Sequence, residues 1–167
     1  MYAKGPQLQQ IGRKIVASAE VNSYRDIHTQ ESSQGDHSSD TQSARSGDDG
    51  IRALIIEDEV DICYLLKGIL RYNNIKADYV TSLSDAEKVL QWQAPPLVFL
   101  DNHLGDGLGV NYISKVKTKF PETKVIMITA HDTQADRDLA YKAGVDLFIG
   151  KPFTKEIISK AVSSFSL

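Results

Sequence analysis

Apolar runs and stretches of helical periodicity alternate along residues 51–167. Two short runs with little apolar–polar alternation, IRALII (51–56) and LVFL (97–100), are typical of strands that are buried on both faces. Three further short segments are also predicted to be strands: IKADYV (75–80), KVIMIT (124–129) and VDLFIG (145–150). Apolar residues at helical spacing follow each run, within 61–72, 84–93, 109–120, 133–143 and 154–165. This alternation predicts an α/β fold, in which five helices cover both faces of a doubly wound, five-stranded parallel sheet.

Local signals predict where several of these helices begin and end. Ser84, followed three residues later by Glu87, predicts a capping box at the start of the second helix. The third helix should end before Pro121, because the residue before a proline avoids the helical conformation. Gly144 should end the fourth helix as a C-terminal glycine.

The first 50 residues have a different composition. Residues 26–50 are rich in Ser, Asp, Gln and Gly, with Ile27 as the only large aliphatic side chain. Such a stretch buries too little apolar surface to offset the entropy of ordering it, which predicts a disordered linker. An upstream apolar stripe at helical spacing predicts one short helix at about 7–22, which either docks or frays: Leu8, Ile11, Ile15 and Val16. We therefore expect a largely disordered N-terminal extension over 1–50 and one domain over 51–167.

Charge and composition narrow the classes of function. The formal net charge is −3 over 167 residues, so bulk electrostatics give no reason to expect direct DNA binding. The one cysteine, Cys63, lies in an apolar helical pattern, which excludes a disulfide framework and favours a buried thiol in a reducing compartment. No apolar run approaches the roughly 20 residues of a membrane span, and no signal-peptide core is present. We expect a cytoplasmic protein without membrane insertion.

Polar residues follow the predicted strands at their carboxyl ends. Parallel strands of a doubly wound sheet place these ends at one edge, where such folds bind their ligands. We therefore expect an acidic cluster there, with one hydroxyl and one ammonium group. Its members are Glu57, Asp58 and Glu59 after the first strand, Asp101 after the third, Thr129 at the end of the fourth, and Lys151 after the fifth.

The chemistry of this cluster indicates magnesium and phosphoryl transfer. Packed carboxylates repel one another unless a cation neutralises them, and oxygen ligands without a Cys or His cluster favour Mg²⁺ over zinc. Thr129 and Lys151 are suited to hold phosphoryl oxygens, and a carboxylate such as Asp101 can act as a nucleophile that forms an acyl phosphate. Each residue alone also has a structural explanation, as a helix cap, a strand residue or a turn residue. Together at one edge they favour phosphoryl transfer onto an aspartate.

Four segments resemble those of a known family: LIIEDEVD (54–61), VFLDNHLGDGLG (98–109), VIMITA (125–130) and DLFIGKPF (146–153). In their order and spacing they resemble the receiver domain of two-component response regulators. The resemblance covers residues 51–167. It implies a flavodoxin-like, chemotaxis-regulator-like fold with strand order 2-1-3-4-5.

The resemblance also implies a role for each residue of the predicted site. Asp101 corresponds to the phospho-acceptor. Mg²⁺ is the implied cofactor, with the carboxylates of Asp58 and Asp101 and the backbone carbonyl of His103 as its ligands. Glu57 corresponds to an acidic partner that acts on the metal directly or through water. Thr129 corresponds to the hydroxyl that follows a phosphoryl oxygen, and Lys151 to the ammonium that pairs with Asp101 or its phosphoryl group.

A switch is implied as well. Phe148 occupies the aromatic switch position of the family. When phosphorylation draws Thr129 inward, Phe148 can fill the vacated space, which would remodel the surface of the fourth helix, fifth strand and fifth helix. The Lys151-Pro152 bond is usually cis in this family.

The sequence departs from the family pattern at two positions. Glu57 stands where Asp is common, so its longer arm can alter the metal geometry. Gly105 stands where Pro is frequent, which should loosen the loop. His103 and His131 are expected near the site, where they either tune hydrolysis of the acyl phosphate or are exposed polar residues without effect.

We therefore expect a stand-alone receiver and not an enzyme with a separate substrate. Its partners would be a sensor histidine kinase or a histidine phosphotransfer protein and an unidentified downstream protein, with a homodimer through the face of the fourth helix, fifth strand and fifth helix as a further option. Two alternatives remain open: a phosphorylation-independent interaction module, and a receiver fragment of a hybrid kinase. A flavin-binding protein of the same topology is disfavoured, because the acidic residues after the first strand would repel phosphate.

Overall fold

The computed structural model describes residues 52–165, and the extension predicted over 1–50, with its helix at about 7–22 and its linker at 26–50, lies outside the described residues. One parallel sheet has the strand order β2-β1-β3-β4-β5, which confirms the predicted order 2-1-3-4-5. Its strands are β1 (Ala53–Ile56), β2 (Ala77–Val80), β3 (Leu97–Asp101), β4 (Lys124–Thr129) and β5 (Leu147–Gly150).

Helices cover both faces of the sheet, as predicted. Cys63 and Ile158 are buried against one face, while Leu90, Ile113 and Ala140 are buried against the other. Among the described residues, no helix combines the length and the apolar composition that crossing a membrane requires. The helices are α1 (Val60–Tyr72), α2 (Leu83–Trp92), α3 (Gly109–Lys119), α4 (Gln134–Ala143) and α5 (Lys155–Ser163).

The predicted ends of α3 and α4 are confirmed. Helix α3 ends at Lys119, two residues before Pro121. Gly144 adopts the left-handed conformation at the end of α4, with φ of 103°. The Lys151-Pro152 peptide bond is cis, as the resemblance implied.

The start of α2 differs from the predicted capping box of Ser84 with Glu87, which is wrong. The helix begins at Leu83 and its N-cap is Ser82, whose hydroxyl accepts a hydrogen bond from the backbone N–H of Asp85 at 3.1 Å. Ser84 therefore lies inside the first turn, where its backbone N–H needs an acceptor from elsewhere.

That acceptor comes from the loop between β3 and α3. A short antiparallel pair, His103–Leu104 with Gly107–Leu108, shapes this loop. Asp106 at its tip accepts hydrogen bonds from the backbone N–H groups of Leu83 and Ser84, each at 2.9 Å. These bonds lower the pKa of Asp106 and join the loop that follows Asp101 to the first turn of α2.

Gly109, the first residue of α3, lies so close to β3 that a Cβ there would overlap the backbone carbonyl oxygen of Asp101. We expect Gly109→Ala to lower the free energy of unfolding by about 2 kcal/mol, because backbone atoms cannot yield as a flexible side chain can. Urea unfolding measures this change.

The matched control is Gly68→Ala on the exposed side of α1, where an added Cβ would meet no atom within 4 Å. This substitution should raise the free energy of unfolding by roughly 0.5 to 1 kcal/mol, because alanine loses less backbone entropy than glycine in a helix. Equal effects of the two substitutions would contradict the close approach at Gly109.

Candidate functional site

The predicted polar residues converge at the carboxyl edge of the sheet. Glu57 and Asp58 follow β1 directly, Asp101 ends β3, Thr129 ends β4, and Lys151 follows β5. Carboxylate oxygens of Glu57, Asp58 and Asp101 all lie within 4.8 Å of one another. This convergence follows from the sheet, since parallel pairing brings the ends of neighbouring strands together.

Lys151 is the cation at the centre of this cluster. Its side chain is only 12% exposed, yet its Nζ reaches three carboxylates: Glu57 Oε2 at 2.8 Å, Glu59 Oε1 at 3.1 Å and Asp101 Oδ1 at 3.2 Å. A buried ammonium group paired in this way offsets part of the repulsion among the acids.

Burial governs the ionisation of Glu57 and Lys151. Burial raises the pKa of Glu57 above its ordinary value of 4.5; the hydrogen bond from Lys151 opposes this shift, and the charge of Asp101 adds to it. Burial alone would lower the pKa of Lys151, but the hydrogen bond to Glu57 and the charges of Asp101 and Glu57 outweigh burial, so its pKa is raised. Lys151 is therefore protonated at neutral pH. Its charge does not fully offset the cost of burying the ionised Glu57 carboxylate, so a second cation would stabilise that carboxylate.

Both oxygens of the Asp101 carboxylate have partners. Oδ1 faces Lys151, and Oδ2 accepts a hydrogen bond from the backbone N–H of His103 at 2.7 Å. The residue is only 5% exposed, so its orientation is fixed by the structure around it.

The donor set fits Mg²⁺. Oxygen ligands of this ion lie at ~2.1 Å in octahedral geometry, so opposite ligands are about 4.2 Å apart. Side-chain oxygens of Glu57, Asp58 and Asp101, all within 4.8 Å of one another, can close around one such ion with small adjustments. Asp58 is exposed, which leaves one side of the cluster open to solvent.

Thr129 is fully buried beside this cluster. Its Oγ1 accepts a hydrogen bond from the backbone N–H of His131 at 3.2 Å, and its carbonyl oxygen accepts one from the backbone N–H of Lys151 at 2.7 Å. The exposed rings of His103 and His131 lie side by side, with centroids 4.5 Å apart and planes inclined by 39°. The two histidines thus lie side by side in the loops that follow Asp101 and Thr129.

Phe148 lies within β5, in register with Met127 of β4. It is 7% exposed and packs in the core beneath α2, α3 and α4. The residue of the predicted switch is therefore in a buried position in this structure.

Cys63 is buried, as predicted, directly below the acidic cluster. Its Sγ donates a hydrogen bond to the backbone carbonyl of Glu57 at 3.2 Å. Burial and the charge of Glu57 raise the pKa of the thiol to about 12, so it is not a nucleophile of the site.

Asn102 is a positioning residue that the sequence did not reveal. Its side-chain Oδ1 accepts a hydrogen bond from the N–H of Val110 at 3.0 Å, and its backbone carbonyl accepts one from Gly109 at 2.8 Å. These bonds fix the start of α3 against the residue that follows Asp101. An asparagine directly after a strand-end aspartate is the one local signal for this arrangement.

Comparison with known proteins gives one family. The model of the response regulator receiver domain matches residues 53–163. The phosphate regulon transcriptional regulatory protein PhoB of Escherichia coli K12 is 30% identical over 112 residues, which cover 65% of this chain and 49% of PhoB. The chain spans about half the length, or less, of the curated relatives it matches.

Solved structures agree with this result. The receiver domain of NtrX from Brucella abortus is 30% identical, with a TM-score of 0.63 over 67% of this chain and 95% of that one. The beryllofluoride-activated NtrC4 receiver domain dimer is 32% identical, with a TM-score of 0.66 over 69% of this chain and 95% of that one.

Proposed function

Because this chain belongs to the response regulator receiver domain family, we propose that it accepts a phosphoryl group from a histidine kinase or a histidine phosphotransfer protein onto Asp101, in a Mg²⁺-dependent reaction. Receiver domains are signalling phospho-acceptors and not enzymes that turn over a separate substrate. One observation carries the proposal: the Asp101 carboxylate lies 3.2 Å from Lys151 and within 4.8 Å of the carboxylates of Glu57 and Asp58.

In the proposed reaction, a carboxylate oxygen of Asp101 attacks the phosphorus atom. A new oxygen–phosphorus bond forms as the bond from phosphorus to the donor breaks, and the electron pair of that bond stays with the leaving imidazole or acetate. Lys151 can pair with the Asp101 carboxylate before transfer and with the phosphoryl oxygens after it, because its Nζ already faces Oδ1. The hydroxyl of Thr129 can donate to another phosphoryl oxygen.

Mg²⁺ would be held by Glu57, Asp58, Asp101 and the backbone carbonyl of His103, and it would neutralise phosphoryl oxygens during transfer. The raised pKa of Glu57 supports this assignment, since a nearby cation would favour its ionised form. The longer arm of Glu57 is compatible with the cluster, because one of its carboxylate oxygens lies within 4.8 Å of those of Asp58 and Asp101.

Signalling would proceed through Thr129 and Phe148. A phosphoryl group adds charge and strong acceptor oxygens, which draw the Thr129 hydroxyl away from the His131 amide. The space that Thr129 leaves favours the buried position of Phe148 and so biases the surface of α4, β5 and α5. The paired rings of His103 and His131 would limit the access of water to the acyl phosphate.

The experiment that tests the proposal is intact mass spectrometry after incubation with acetyl phosphate and Mg²⁺. We expect a gain of one phosphoryl group with Mg²⁺ and none after chelation by EDTA. No gain under any condition would overturn the proposal and favour a phosphorylation-independent interaction module.

Asp58 provides a separate test of the metal site. We expect Asp58→Ala to weaken Mg²⁺ binding by at least tenfold. Without metal, the variant should be no less stable than the wild type, because the substitution relieves like-charge repulsion. Titration calorimetry and urea unfolding without metal measure the two quantities. Glu59 and not Asp58 is the N-cap of α1, so unfolding of the variant would be unexpected and would assign Asp58 a structural role.

The face of α4, β5 and α5 is proposed as the output surface, for a downstream protein or for a second copy of the chain. Leu139 of α4 is 54% exposed and Ile157 of α5 is 45% exposed, which provides apolar contact area. The NtrC4 receiver is a dimer in its beryllofluoride-activated form. Sedimentation with and without beryllofluoride tests this proposal, and a monomer at all concentrations would argue against the homodimer.

We also propose that the receiver is complete without residues 1–50. A protein that starts at Gly50 should fold and accept phosphate as the full chain does, because residues 52–165 contain a sheet of five strands with five helices around it. Limited proteolysis of the full chain should cut first within 26–50, where the composition predicts a linker. Loss of folding on truncation, or a protease-resistant linker, would place the boundary elsewhere.

We also propose that the protein is located in the cytoplasm.

A further inference from the structure

Asp132 and Arg137 form a two-pronged ion pair next to the proposed switch. Arg137 Nε lies 2.5 Å from Asp132 Oδ1, and Nη2 lies 2.7 Å from Oδ2. Asp132 belongs to the loop after β4, which also contains His131, and Arg137 lies in the first turns of α4. The pair therefore connects the loop that follows Thr129 with α4, the helix that belongs to the proposed output surface.

The same two side chains lie over the end of β5. The Arg137 guanidinium is 4.8 Å from the centroid of the Phe148 ring, within the range of a cation–π interaction. The Asp132 carboxylate lies against Gly150, where any Cβ would collide with it. Arg137 thus covers the outer side of a ring that is itself only 7% exposed.

We propose that Asp132 and Arg137 are positioning residues that clamp Phe148 in its buried position before any phosphoryl group binds. The clamp biases the switch towards the buried-ring state, an inference that rests on the proposed function for its link to Asp101. For Phe148 to swing outward, the guanidinium must leave the ring, and its bonds to Asp132 must break or rearrange. Phosphorylation then stabilises a ring position that this chain already favours.

The clamp is tested by ¹⁹F NMR on the full chain labelled with fluorophenylalanine, which contains five phenylalanines and should give five resonances. Loss of one resonance in Phe148→Leu assigns the ring. In Arg137→Gln and in Asp132→Asn, the ratio of exposed to buried ring conformers should rise about fivefold, as expected from the loss of a cation–π contact and a half-exposed ion pair. The ratio of exposed to buried conformers in the double variant should be no higher than in either single variant, because the two residues act as one unit.

Two further variants separate positioning from general loss of charge. Arg137→Lys keeps the charge but loses the planar two-pronged geometry, so it should give an intermediate ratio. Gly150→Ala changes no charge but pushes the Asp132 side chain aside, so it should release the ring as well. The matched controls are Arg71→Gln on α1 and Asp138→Asn on α4, both exposed, which should leave the Phe148 resonance unchanged.

An unchanged Phe148 resonance in Arg137→Gln and Asp132→Asn would overturn the clamp. This measurement needs no phosphoryl group, so it does not depend on the chemistry proposed for Asp101. Addition of Mg²⁺ and beryllofluoride to Arg137→Gln should return the ring to its buried position. If the ring of Arg137→Gln stays exposed with beryllofluoride, and the wild type also fails to take up phosphate, these results would count against the proposed function and leave the clamp standing.

Discussion

Replacement of Asp101 by asparagine is expected to abolish the phosphoryl mass gain that acetyl phosphate and Mg²⁺ produce in the wild type. Asparagine has nearly the same volume but has no carboxylate oxygen to attack phosphorus. The substitution also removes a negative charge that raises the pKa of Glu57, so like-charge repulsion should fall and the fold should persist. Intact mass measures the gain, and circular dichroism monitors the fold.

The control for this experiment is Asp138→Asn, an exposed position on α4 whose carboxylate accepts a hydrogen bond from Gln134 at 2.8 Å. It should be labelled to the same extent as the wild type. Hydroxylamine should remove the label from both proteins, because it cleaves acyl phosphates and spares phosphate esters. Undiminished, hydroxylamine-sensitive labelling of Asp101→Asn would show that another carboxylate is the acceptor.

Replacement of Lys151 by methionine should lower the free energy of unfolding by about 3 kcal/mol at pH 7 without Mg²⁺, because it leaves buried carboxylates without their cation. Glu57 and Asp101 are 1% and 5% exposed, so water cannot take over the role of the ammonium group. Lys142→Met, an exposed lysine of α4, should change stability by less than about 0.5 kcal/mol.

The deficit of Lys151→Met should depend on pH in a defined direction. Loss of the hydrogen bond from Lys151 raises the pKa of Glu57 further above 4.5. A carboxyl group whose pKa is higher in the folded than in the unfolded state binds more protons when folded, so stability falls as the pH rises above 4.5. Urea unfolding should therefore show a larger deficit at pH 7 than at pH 5, and Mg²⁺ should reduce it. A deficit that is larger at pH 5 would mean that Lys151 does not compensate Glu57.

The fold and the place of the site were predictable because their signals are strong in the sequence. A strand such as LVFL (97–100) is apolar on both faces only when helices cover both sides of a sheet. Once the sheet is parallel, Asp101 and Lys151 must lie at the same edge, although 50 residues separate them in the sequence.

Contacts that depend on loops were not predictable in the same way. Ser84 with Glu87 has the spacing of a capping box, but the N-cap of α2 is Ser82, two residues earlier. The helix can begin at Leu83 because Asp106, more than 20 residues downstream, accepts hydrogen bonds from the N–H groups of Leu83 and Ser84 in the first turn.

The contact of Arg137 with Asp132 was missed for a related reason. Residues five apart are not neighbours on a helix surface, so their spacing gives no signal of an ion pair. The loop before α4 turns Asp132 back over Gly150, and only this turn brings the two charges together.

The buried thiol of Cys63 has a practical consequence for labelling. Maleimides and other alkylating reagents attack thiolates that they can reach, and a buried thiol with a pKa of about 12 offers neither the charge nor the access. A cysteine introduced at an exposed position would therefore be the one thiol that takes up a dye or a spin label, because Cys63 is the only natural cysteine of the chain. Cys63 need not be replaced before labelling, so its hydrogen bond to the backbone carbonyl of Glu57 stays intact beneath the site.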